Sequence, residues 1–168
     1  MLDRFTSSPL KDGDDAPDFT LPDQDGNDLR LRDLLKAGPV VLYFYPKAFT
    51  TVCTAEACAF RDRHEAFRDV GASVVGISTD SVATQKKFHD KYRLNYPLLS
   101  DRDGKVHKLF GVRNGGGGGV GFVLNDRITF VIDGNGVVRH RFGGLLVADP
   151  HIKESLKIVE SLVAGQDT

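Results

Sequence analysis

Within this 168-residue chain the stretch FYPKAFTTVCTAEACAFRD holds both cysteines, Cys53 and Cys58, five positions apart. A thiol pair at this spacing admits a few chemistries, and the residue types narrow them. A thioredoxin-type dithiol needs C-x-x-C, and C-x-x-x-x-C lacks it. Structural zinc takes four ligands, whereas Cys53, Cys58 and His64 supply three with no spaced second pair, so no metal is expected. A cysteine hydrolase needs a histidine in reach. His64, His89, His107, His140 and His151 stand in no recognisable setting and read as surface residues. What remains is an activated or redox-active thiol, or an inert core cysteine.

The elements around the pair bear on that choice. VVLYFY at 40–45, bounded by Gly38-Pro39 and Pro46, reads as a buried central strand. A helix follows over 51–70, with Val52, Ala55, Ala59, Phe67 and Val70 near one face. ASVVGIS at 72–78 is a second buried strand, and 81–93 a second helix opened by Asp80 or Ser81. Strand, helix and strand with a right-handed crossover make a parallel pair. RITFVID and VVRHRF flank Gly134-Asn135-Gly136 and predict an antiparallel hairpin. Asp149-Pro150 caps a last helix whose Ile152, Leu156, Val159 and Val163 form an apolar stripe. The expected fold is α/β, a mixed central sheet with helices on both faces.

Cys53 then falls in the first turn of a helix leaving the C-terminal end of the central strand, the edge where open α/β sheets bind ligands. Unpaired N–H groups and the helix dipole there favour thiolate over thiol. Position thus argues for a nucleophile, beside the alternative of a small buried hydrophobe.

Composition bounds the partners. The charges nearly balance, 22 Lys plus Arg against 23 Asp plus Glu, so no basic field gathers nucleic acid or an anionic membrane. The first residues lack the apolar core of a secretory signal and no run reaches membrane-span length, so a cytoplasmic protein is expected. The length suits one domain over 1–168, with neither repeat nor linker. NGGGGGV at 114–120 lacks the Lys and Ser or Thr of a phosphate loop, and a flexible glycine-rich loop over 114–121 is expected instead.

Pro46-Lys47-Ala48-Phe49-Thr50-Thr51-Val52-Cys53 matches the peroxiredoxin signature Pro-x-x-x-Thr-x-x-Cys, and Cys53-Thr54-Ala55-Glu56-Ala57-Cys58 resembles the peroxiredoxin Q, or bacterioferritin comigratory protein, branch of that family. APDFTLPDQDG, FRD, YPLLSD and RITFVID resemble it in the same order. The resemblance implies a thioredoxin-like fold and a thiol peroxidase working without metal, haem or flavin, its catalytic helix start lying at about 50–60. Cys53 matches the peroxidatic cysteine and Cys58 the resolving one. Thr50 matches the threonine that holds thiolate and peroxide in line, beyond a possible role as N-cap. Arg127 matches the arginine that supports thiolate and peroxide, ahead of Arg113, Arg139 and Arg141. Pro46 matches the proline that shields the pocket, and Glu56 is a possible supporting residue. Hydrogen peroxide or an organic hydroperoxide is the implied substrate, thioredoxin or a similar dithiol the reductant, and a monomer the expected state. Two other readings stand beside this one: a one-cysteine peroxidase with a structural Cys58, and a redox-switched binding module.

The implied disulfide carries a geometric condition. On an ideal helix, residues five apart lie about 9 Å apart at Cα, and a disulfide needs less than about 7 Å. The bond cannot form while 53–58 stays helical, so the helix start is expected to unwind on oxidation. The sequence also departs from the branch at Thr51-Val52, where Pro-Gly is common, and in its glycine run.

Overall fold

The structure, a computed structural model, describes residues 9–113, 127–143 and 148–166. The glycine run and the first eight residues lie outside these. The run VVLYF forms β3 (Val40–Phe44), buried at every position, because strands covered on both faces have no solvent side to alternate with. It is the centre of a five-stranded sheet ordered β5-β4-β3-β6-β7. β4 (Ser73–Ser78) pairs parallel to β3, and β5 (Leu98–Ser100) parallel to β4. β6 (Ile128–Ile132) runs antiparallel to β3, and β7 (Val138–Gly143) antiparallel to β6. A separate two-stranded ribbon, β1 (Thr20–Pro22) with β2 (Asp28–Arg30), precedes them.

The expected hairpin is present. Asp133 Oδ1 accepts from the N–H groups of Asn135 (2.9 Å) and Val137 (3.0 Å), and Gly136 supplies the left-handed residue, φ +83°, that closes the turn.

Helices cover both faces. Val41, Tyr43 and Tyr45 point toward α2 (Thr51–Asp69), Phe88 of α3 (Val82–Lys91) and Ile152 and Val159 of α5 (Ala148–Gln166). Val40, Leu42 and Phe44 point the other way, with Leu31 of α1 (Leu31–Leu35) and Val106 and Phe110 of α4 (Lys105–Phe110). This period-two division is what pleating imposes on a central strand. Gly76 in β4 makes room on the α2 side: a Cβ there would lie 2.9 Å from both Tyr43 Cζ and Leu98 Cδ2.

Several expectations are corrected. The buried face of α2 runs through Cys53, Glu56, Ala57, Phe60 and Phe67, and Ala55 is exposed. The two phenylalanines orient the helix, each adding about 1.5–3 kcal/mol on burial, far more than an alanine methyl. α3 ends at Lys91, and Arg93 turns out with φ +51°. Asp149-Pro150 lies inside the first turn of α5 rather than ahead of it. His107, expected at the surface, is buried, and its Nδ1 lies 2.7 Å from Asp101 Oδ2. Asp101 also accepts the N–H groups of Val106 and His107, which satisfies the start of α4; burial raises its carboxyl, but the His107 ring and these two donors together hold it below the usual aspartate range.

Candidate active site

β3 delivers the chain to the sheet edge, where Tyr45 continues the ladder by donating its N–H to Ile77 O (3.0 Å). Half-buried Pro46, which has no N–H to offer, stands where pairing stops. The chain then turns on Ala48, whose N–H donates to Asp80 Oδ2 at 2.7 Å, the atom that also accepts Ser78 Oγ–H at 2.7 Å. Phe49 takes a left-handed conformation, φ +68°, uncommon for a bulky residue, and its ring packs on Phe88 with centroids 5.1 Å apart. Asp80, one of the two residues expected to open α3, thus serves instead to hold the turn ahead of α2.

Thr50 has the extended backbone of an N-cap, φ −75° and ψ 155°, and its carbonyl accepts the N–H of Thr54 at 2.8 Å. Its side chain does not cap: Oγ1 donates to Lys47 O at 2.9 Å. The first turn of α2 therefore keeps N–H groups without side-chain acceptors from its cap residue. Cys53 lies on the inward side of that turn, 1% exposed.

The arginine arrives by register. Antiparallel pairing of β3 with β6 sets Phe44 opposite Ile128, so the residue ahead of β6 lies beside the exit of β3. That residue is Arg127, and its Nη1 donates to Cys53 Sγ at 3.1 Å. The same Nη1 is 3.6 Å from Glu56 Oε1, within ion-pair reach but beyond a hydrogen bond. Glu56 is buried and its Oε1 has no hydrogen-bond partner. Burial pushes its carboxyl up to about 7, more than the Arg127 charge pulls it down.

Of the competing arginines, Arg139 pairs with Asp133 (2.6 Å), Arg141 donates to the carbonyls of Pro9 and Leu10, and Arg113 is exposed. Cys58 lies half-buried farther along α2, and both thiols are free. His64 is half-buried with its imidazole pKa lowered by burial, and no group of three or more metal-ligating side chains occurs among the described residues. No helix among them is long and apolar enough to cross a membrane.

Two features escaped sequence reasoning. One is the hold of Asp80 on the turn, whose only signal was a polar triplet after an apolar strand. The other is a pair of buried tyrosines under α2: Tyr43 and Tyr96 share a hydrogen bond between hydroxyls at 2.7 Å, and Tyr96 donates to Ala57 O at 2.8 Å. The arrangement as a whole presents a buried sulfur to a guanidinium at an open helix start, a site suited to attack on a small polar electrophile whose charge develops toward the arginine.

Comparison with known proteins agrees with that chemistry. The AhpC/TSA family model matches residues 13–141. Peroxiredoxin Q, chloroplastic, of Oryza sativa subsp. japonica is 45% identical over 159 residues, covering 95% of this chain and 71% of the relative. The crystal structure of peroxidoxin BcpB from Mycobacterium tuberculosis superposes with a TM-score of 0.81 at 44% identity, covering 91% of this chain and 98% of that one. A structure of Xanthomonas campestris bacterioferritin comigratory protein, described for its alkyl peroxide reduction activity, matches with a TM-score of 0.75 at 28% identity over 86% of this chain and 92% of that one.

Proposed function

The chain belongs to the AhpC/TSA family, in its peroxiredoxin Q branch of thiol-dependent peroxidases on a thioredoxin-like fold, and from that premise we propose that Cys53 is the peroxidatic and Cys58 the resolving cysteine. Cys53 thiolate attacks the terminal oxygen of a hydroperoxide; the O–O bond breaks, the leaving oxygen takes a proton as water or alcohol, and the sulfur becomes a sulfenic acid. Arg127 meets the charge that passes from sulfur to oxygen. Thr50 aligns thiolate and peroxide, Pro46 shields the pocket, and Glu56 sets the position of Arg127. Cys58 then displaces water to form a disulfide, which thioredoxin or a similar dithiol reduces by exchange.

The observation that carries this reading is the 3.1 Å contact from Arg127 Nη1 to the buried Cys53 sulfur. Hydrogen peroxide and organic hydroperoxides are the proposed substrates, the latter supported by the Xanthomonas relative. The protein is proposed to act as a cytoplasmic monomer.

Stopped-flow mixing with one equivalent of hydrogen peroxide, followed by mass spectrometry, tests the assignment. Wild type is expected to end as a Cys53–Cys58 disulfide and Cys58→Ser as a Cys53 sulfenic acid with thioredoxin-supported turnover lost. Undiminished turnover in Cys58→Ser would replace this reading by a one-cysteine peroxidase.

A further inference from the structure

Helix α2 is tied to the rest of the molecule in two different ways along its length. From residue 57 onward the ties include hydrogen bonds to the segment after α3, beside packing on β4 and α5. Tyr96 donates its hydroxyl to Ala57 O at 2.8 Å, Arg61 Nη1 donates to Tyr92 O at 2.7 Å, and Asn95 Nδ2 donates to Arg61 O at 3.3 Å. Tyr96 is buried and backed by the Tyr43 hydroxyl at 2.7 Å, so its O–H has no water to turn to if Ala57 O moves away. Ahead of residue 57 the tie is different in kind: Arg127 holds the turn through Cys53 Sγ, the atom that reacts, and faces Glu56 at 3.6 Å.

We propose that Tyr96 is a positioning residue for the disulfide step: its hydrogen bond to the Ala57 carbonyl sets where α2 breaks, so that residues up to 56 unwind and Cys53 travels to a Cys58 that stays with the standing helix. The inference rests on Cys58 being the resolving cysteine. Peroxide converts Cys53 to a neutral sulfenic acid and so weakens the charge-assisted bond from Arg127. The first turn is released while the ties beyond it persist. Ala57 O continues to accept the N–H of Arg61, its intrahelical partner, along with the Tyr96 O–H. Ala57 thereby becomes the N-cap of a shortened helix and Cys58 its first residue, among the unpaired N–H groups that favour thiolate. Cys58 sulfur attacks Cys53 sulfur; the S–S bond forms, the S–O bond breaks, and hydroxide leaves as water with the proton lost from Cys58. Cys53 sulfur is reduced and Cys58 sulfur oxidised by one electron each, and no further oxidant is required.

Amide exchange measured residue by residue on the reduced and disulfide forms tests this. In wild type, disulfide formation removes protection through residue 60, while Arg61 to His64 stay within about threefold of the reduced form. In Tyr96→Phe the loss extends past Arg61 by about tenfold or more, in the disulfide form alone. A merely structural tyrosine would loosen both forms equally. Tyr43→Phe, which keeps the Tyr96 bond to Ala57, leaves the boundary at Arg61. The inference is overturned if wild-type protection is lost beyond Arg61, if Tyr96→Phe keeps the wild-type boundary or loosens both forms alike, or if Tyr43→Phe shifts it as far as Tyr96→Phe. Absence of a Cys53–Cys58 disulfide from peroxide-treated wild type would remove the role of Cys58 and this inference together, whereas a disulfide with a different boundary removes the inference alone.

Discussion

Helices α2 and α3 leave neighbouring parallel strands at the same edge of the sheet, and their first turns are finished differently. Ser81 caps α3: its Oγ accepts the N–H of Thr84 at 3.1 Å. Thr50 stands at the same position of α2 with nearly the same backbone, φ −75° against −69°, yet its hydroxyl is turned back to Lys47 O. One start is sealed by its own side chain. The other leaves its donors uncapped and has a buried cysteine and an arginine beside them. The difference lies in which neighbour claims the cap hydroxyl, and the turn ahead of α2, held by Asp80 through Ala48, presents Lys47 O for that purpose.

The largest effect that would separate the two starts is expected at Arg127. Arg127→Gln should slow oxidation of Cys53 by hydrogen peroxide about 10²–10³-fold, or about 2.7–4 kcal/mol in barrier, as for loss of one oriented donor. An unchanged stopped-flow rate would make the open start of α2 chemically ordinary.

Next is the pH response of Glu56, the buried acid beside that start. Its folded carboxyl titrates near 7 against an ordinary value of 4.5, so the protonated form is favoured by folding. Its contribution is fully present below the unfolded value and is lost as pH rises through the folded one, a change of about 3 kcal/mol. Urea midpoints of wild type and Glu56→Gln should therefore diverge as pH rises from 4.5 through 7, the variant lacking that fall. Parallel curves would show that the carboxyl is not held in this way. Asp101, with three donors at a similarly buried carboxylate, has the opposite sign: its contribution is lost as pH falls through its lowered folded value.

The smallest expected effects lie at the cap residues themselves. Ser81→Ala should cost about 1 kcal/mol in chemical denaturation, the usual worth of a cap. Thr50→Val should cost only about 0.5 kcal/mol or less, since water replaces an exposed hydroxyl at Lys47 O, while lowering the rate with peroxide. Equal losses of stability would mean that Thr50 caps α2 after all.

Much of this was legible in the sequence because it depends on local pattern. The run VVLYFY could bury both faces of a strand, Gly134-Asn135-Gly136 could close a hairpin, and the strand-to-helix junction placed Cys53 in a first turn. Arg127 was legible through the R-x-T-F likeness, although the reason it reaches Cys53 is the register of β6 against β3, a long-range fact. Side-chain commitments were not legible. The Thr50 hydroxyl could accept from the N–H groups of its own helix start or donate back to a nearby carbonyl, and tertiary geometry chooses between them. Ala55 matched the helical period but carries too little apolar surface to turn α2 against Phe60 and Phe67. His107 reads as a surface residue until Asp101, six positions earlier, is seen to share its buried site.

Gly76 extends the reach of the tyrosine pair into the sheet. The Tyr43 ring lies over a position in β4 that carries hydrogen where any other residue would carry carbon, and a methyl placed there would meet the ring at 2.9 Å. The footing of α2 thus depends on a neighbouring strand: the hydroxyl chain from Tyr43 through Tyr96 to Ala57 has its foundation beside a glycine of the sheet.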